Sequence, residues 1–87
     1  HQDLGEMKIE SLRLGATSRA LGSTPRELRL RESTGAVLVA LRRGEKLIAP
    51  VSPDEFLVEE DLLFLVGDLD AVTRARVVLD RDDAEPA

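Results

Sequence analysis

Five arginines hold most of the chemical potential of this 87-residue chain: Arg26, Arg29 and Arg31 in one segment, and Arg42 and Arg43 in another. A guanidinium stays charged and presents a planar fork of donors that fits phosphate and carboxylate oxygens. Gathered in one cleft, these side chains make an anion site. Scattered, they are solvated charges balanced by the 17 acidic residues, and the residues alone favour that plainer reading. Glu59-Glu60-Asp61 offers oxygen ligands to a divalent cation. It lacks the spaced acids and sharp-turn glycine of a calcium loop, so it reads as a solvated turn.

Catalysis has little to draw on. The single histidine is His1, cysteine is absent, and Ser11, Ser18, Ser23, Ser33 and Ser52 have no neighbouring base. A hydroxyl without a base or a lowered pKa is inert. We therefore expect no enzyme, no metal site and no resident cofactor.

These groups must be held by a small domain with an aliphatic core. Hydrophobic residues are 43% of the chain but aromatic residues only 2%, namely Phe56 and Phe64. Without cysteine there is no disulfide framework, which suits a reducing compartment. A net charge of −5 and no aromatic platform argue against nucleic acid as a partner. No apolar run approaches the roughly 20 residues needed to span a bilayer. The start at His1-Gln2-Asp3, with no initiator Met, reads as a cut from a longer protein.

The centre of the chain is Gly35–Gly67. Ala36–Leu41 and Leu62–Val66 are unbroken apolar runs bounded by glycine, proline and charge, the pattern of strands buried on both faces. Between them, Gly44-Glu45 suits a type II′ turn, although that register sets Arg43 opposite Lys46 and a longer loop from Arg42 would relieve the repulsion. Leu47-Ile48-Ala49 is a short return strand, stopped by Pro50 and Pro53. Phe56 or Leu57 then tucks into the core. Upstream, Met7–Leu14 alternates as a strand burying Met7, Ile9, Leu12 or its neighbour, and Leu14, with a phase slip near Ser11 that suggests a bulge.

Two helices complete the set. Thr24, Pro25 and Glu27 form a capping box with proline at the first helical position, predicting a helix over Pro25–Glu32 that buries Leu28 and Leu30. Gly35 is placed to take a left-handed C-terminal cap. Asp68 or Asp70 caps the last helix, with Ala71, Val72, Ala75, Val78 and Leu79 on one face and Asp70–Arg74 and Arg76–Asp80 pairs on the others. The expected fold is α+β: a small mixed β-sheet of about four strands with two helices. Residues 1–6 are expected to be a flexible segment, 7–80 the domain, and 81–87 a disordered acidic tail. Two short helices cannot cover both sheet faces, so a second copy or a neighbouring domain is expected to cover the remainder.

Glu27-Leu28-Arg29-Leu30-Arg31, Thr34-Gly35-Ala36-Val37, Ala40-Leu41-Arg42-Arg43-Gly44, Pro50 and Asp61–Gly67 together resemble the C-terminal lobe of RCK proteins, regulators of potassium conductance. This lobe is the TrkA-type C-terminal domain. The resemblance runs from about Met7 to Leu79. It implies a cytosolic homodimer attached to a potassium channel, an uptake system or a cation/proton antiporter, sensing a small anionic ligand. Several relatives bind cyclic di-AMP at the dimer interface. By position, the contacts would be Arg31, then Ala36, Val37 and Leu38 after Thr-Gly, with Ile48 and Pro50 of the return strand nearby. Cyclic di-AMP binders often carry Asn where this chain has Val37, which removes a hydrogen bond to the base. The alternative is a ligand-free structural dimerisation module of the same kind of transport protein.

Overall fold

The computed structural model describes residues 7–80. The expectations for segments 1–6 and 81–87 lie outside those residues. The elements run β1 (Lys8–Arg13), α1 (Pro25–Leu28), α2 (Leu30–Thr34), β2 (Val37–Arg43), β3 (Lys46–Ile48), β4 (Leu62–Gly67) and α3 (Leu69–Asp80). The strands form one sheet in the order β1-β4-β2-β3, and every pairing is antiparallel.

Register explains which residues meet. Leu12 lies opposite Leu63, Leu63 opposite Leu41, and Leu41 opposite Ile48, giving an aliphatic row across all four strands. This row faces α3, whose Ala71, Val72, Ala75 and Leu79 are buried against it with Leu57. The loop residue taken into the core is thus Leu57, while Phe56 stays 63% exposed. Small residues let the layers approach closely. A Cβ added at Gly67 would stand 3.0 Å from the Ala71 Cβ and 3.3 Å from the Ala36 Cα. Asp68 caps α3, its Oδ1 accepting from the Ala71 N–H at 2.8 Å. On α3, Arg76 reaches Glu10 of β1 at 3.1 Å rather than the expected Asp80.

The opposite face is open. Its cross-strand neighbours are Ile9, Val66 and Val37 in one row, Ser11, Phe64 and Ala40 in the next, then Arg13, Leu62, Arg42 and Leu47. Ile9 is 75% and Leu47 56% exposed. The strands expected to be buried on both faces are therefore covered on one, because the helices all lie on the other. β1 needs correction for the same reason: Met7 and Ile9 are exposed, and only Leu12 and Leu14 are buried. Its pairing with β4 is unbroken, and the register shift falls instead in β2, between Leu38 and Ala40.

The β2–β3 hairpin takes the tight register, with Arg43 opposite Lys46 and Gly44 at φ 63°. The like-charge pairing is tolerated because the Arg43 guanidinium turns away to three acceptor groups. It donates to both Asp61 carboxylate oxygens at 2.9 and 2.8 Å, to Glu55 at 3.0 Å and to the Phe56 carbonyl at 3.0 Å. Asp61, expected in a solvated turn, is 1% exposed. Burial pushes its carboxyl pKa up, but hydrogen bonds from Arg43 and the Val58 N–H outweigh that and hold it below the ordinary value. Hydrogen bonding to Asp61 outweighs burial at Arg43 and raises its pKa. This ion pair fastens the hairpin to the loop before β4.

Candidate functional site

The local sequence Leu28-Arg29-Leu30-Arg31 sets the geometry of the site. In one continuous helix, residues two apart point roughly 200° apart, so Leu28 and Leu30 could not both face the core. The chain resolves this by breaking the expected helix. Arg29 takes the left-handed conformation, φ 49° and ψ 45°, between α1 and α2. Leu30 is then buried and Leu28 half-buried. The capping box forms as expected: the Glu27 N–H donates to Thr24 Oγ1 at 3.2 Å, and the Thr24 N–H donates to Glu27 Oε1 at 3.1 Å.

The other end is fixed by Thr34 and Gly35. Thr34 Oγ1 donates to the Leu30 carbonyl at 2.6 Å and accepts from the Ala36 N–H at 3.0 Å. Gly35 is left-handed, with φ 88°, the cap expected of it. The chain thereby turns from α2 straight into β2.

A cavity of about 380 Å³ lies between α1, α2, the start of β2 and the proline loop, within the range of small-molecule sites. Its apolar lining includes Leu30, Ala36, Val37, Leu38, Val51 and Pro53, and its charged lining is Arg26, Arg29, Arg31 and Glu32. The far wall is tied across by Arg26. Its N–H donates to the Pro53 carbonyl at 3.0 Å, and its guanidinium grips Asp54 through two bonds of 3.0 and 3.2 Å. Hydrogen bonding and the charge of Arg26 hold the Asp54 carboxyl below its ordinary pKa.

Of the residues singled out from the sequence, Arg31, Ala36, Val37 and Leu38 line this cavity, whereas Ile48 and Pro50 do not. Ile48 packs against the core and Pro50 is exposed. Val51 and Pro53 occupy the wall instead. The five arginines divide. Arg26, Arg29 and Arg31 share the pocket, Arg42 sits on the open sheet face, and Arg43 is committed to Asp61 and Glu55. Arg26 is already neutralised, so Arg29 and Arg31 are the lining cations with no ion-pair partner among the described residues. Val37 lines the cavity and also belongs to the open face through its pairing with Val66. Pocket and bare sheet therefore adjoin. Among the described residues, no group of three or more His, Cys, Asp or Glu could hold a metal ion.

An antiparallel sheet covered on one face by helices, with a cationic pocket at the start of its second strand, defines a small α+β domain. The TrkA-C domain family matches residues 9–80, and the chain belongs to that family. The RCK_C domain dimer of S. agalactiae BusR, solved in complex with c-di-AMP, is 28% identical. It superposes with a TM-score of 0.75 over 85% of this chain and 91% of that one. The RCK C domain of the potassium transport protein KtrA, also solved with c-di-AMP, is 27% identical, with a TM-score of 0.73 over 82% of this chain and 81% of that one. An uncharacterized transporter of Synechocystis sp. is 39% identical over 62 residues, which is 71% of this chain. The match spans about a tenth (10%) of that transporter's length. A longer BusR chain has been solved with promotor DNA, and this chain covers 38% of it. Among the described residues, no helix is long and apolar enough to cross a membrane.

Proposed function

We propose that this domain is the ligand-sensing regulatory lobe of a membrane cation transporter or channel, acting on the cytosolic side as a homodimer. Its ligand is a small anionic nucleotide, with cyclic di-AMP the leading candidate. One observation carries the reading: Arg31 from α2 and Ala36, Val37 and Leu38 at the start of β2 line a single cavity that borders the uncovered sheet face. The c-di-AMP complexes of BusR and KtrA support the choice of ligand, and the Synechocystis relative supports a transporter as the parent. A guanidinium facing a phosphate contributes roughly 1.5–3 kcal/mol through charge-assisted bonds.

Calorimetric titration with cyclic di-AMP tests this. Arg31→Ala is expected to weaken binding about 10- to 100-fold while leaving the melting temperature and the sedimentation coefficient unchanged. Saturable binding that ignores Arg31→Ala would refute the site. A second reading, a dimerisation module without a ligand, is favoured by Val37, which offers the pocket no hydrogen-bonding group toward a base. A stable dimer that gives no heat with the nucleotide would select it.

A further inference from the structure

We infer that Arg29 is a second anion-recognising residue of the pocket, and that its left-handed backbone is the device that assembles the cationic side. This rests on the pocket proposed above and extends it to a residue outside the set expected from the resemblance. In an unbroken helix, Arg31 would point about 160° away from Arg29 and about 140° from Arg26. Those three residues would then be spread around the helix, yet all three line one cavity. The break at Arg29 is what differs: φ 49° at a non-glycine residue, in a class of conformations that clusters at ligand clamps. The same break sends Leu28 and Leu30 inward and leaves Arg29 and Arg31 exposed at the cavity.

The ligand class follows from the charges. Arg26 is held by Asp54. Arg29 and Arg31 have no ion-pair partner among the described residues, so two like charges stand at one cavity, placed for an anion to bridge them. Glu32 is the carboxylate in the lining. It repels anionic oxygens and confines them to the arginine side. The fitting ligand carries a phosphate or phosphodiester spanned by two guanidiniums, with an apolar or aromatic body against Val37, Val51 and Pro53.

The test records the arginine side-chain N–H resonances during titration with cyclic di-AMP and, separately, with pyrophosphate. The Arg29 and Arg31 signals are expected to move together. Arg29→Asn, which tolerates the left-handed backbone and removes the charge, is expected to weaken both ligands at least tenfold without lowering the melting temperature. Pyrophosphate binding that depends on Arg29, with no cyclic di-AMP binding, supports this inference and removes the nucleotide reading. Cyclic di-AMP binding that is unchanged in Arg29→Asn overturns this inference and leaves the pocket standing. Silence of the Arg29 resonance with both probes also overturns it.

Discussion

Replacing Arg43 with Met keeps the aliphatic stem over the hairpin and deletes the guanidinium. Four hydrogen bonds vanish, two of them to Asp61, whose side chain is 1% exposed. The carboxylate keeps only the Val58 N–H at 2.9 Å. Breaking a buried pair from one side costs about 3–5 kcal/mol. The Arg43 side chain is 34% exposed, so water entering its place recovers part of that, and about 2–3 kcal/mol is the expected loss. A domain of this length has roughly 4–13 kcal/mol in total, so the loss is large. Urea unfolding followed by far-ultraviolet circular dichroism at pH 7 measures it, since the chain has no Trp. The pH dependence is a second check. The Asp61 carboxyl, held below its ordinary 3.8, stabilises the fold above that pH, and the contribution disappears as pH falls through the folded-state value. The gap between wild type and Arg43→Met must therefore narrow in acid. Adding Asp61→Asn to Arg43→Met should cost less than the two single changes added together, because the orphaned charge goes with it. A gap under about 1 kcal/mol at pH 7, or one that widens in acid, refutes the claim that this pair fastens the hairpin.

Two further substitutions probe the frame around the pocket. Gly67→Ala pushes a methyl to 3.0 Å from the Ala71 Cβ and 3.3 Å from the Ala36 backbone, and should cost about 1–3 kcal/mol in urea unfolding. Thr24→Ala removes half of the capping box and should cost about 1 kcal/mol. Because α1 forms one side of the pocket, the same variant should also broaden the Arg26 and Arg29 side-chain resonances.

The parts of the fold that follow from local chemistry were legible in the sequence. The capping box, the glycine cap at Gly35, the apolar face of α3 and the two central strands each depend on residues within a few positions of one another. What escaped depends on partners distant in sequence. Asp61 looked like one acid among three. Its burial is decided by Arg43, 18 positions away, and no neighbour of Asp61 signals it. The helix break at Arg29 has its own signature in the sequence: Leu28-Arg29-Leu30-Arg31 alternates with period two inside a segment capped as a helix, and one helix cannot satisfy both patterns. Similarly, the unbroken apolar runs of β2 and β4 suggested burial on both faces. They record a face that nothing in residues 7–80 covers. Ile48 and Pro50 come from the resemblance alone; the register sets Ile48 opposite Leu41, at the end of β2 away from the Ala36–Leu38 wall of the cavity.

The bare face and the pocket bear on each other through Val37, and this constrains how the proposed sensor can work. A ligand shifts an assembly only by binding its two arrangements with different affinity. A nucleotide held wholly within one protomer would bind monomer and dimer alike and report nothing. The cavity, however, opens beside the uncovered sheet face, so a second copy seated on Ile9, Val37 and Val66 would stand at its rim. Each contact of about 1.4 kcal/mol that the ligand gains from that copy tightens the pair tenfold, and by reciprocity the pair tightens the ligand equally. Two such contacts suffice for about a hundredfold shift, comparable to known allosteric couplings. The proposed mechanism therefore requires that cyclic di-AMP affinity rise with protein concentration across the dimerisation range. An affinity independent of concentration across that range would separate binding from assembly and leave the pocket without a means of signalling through the pair.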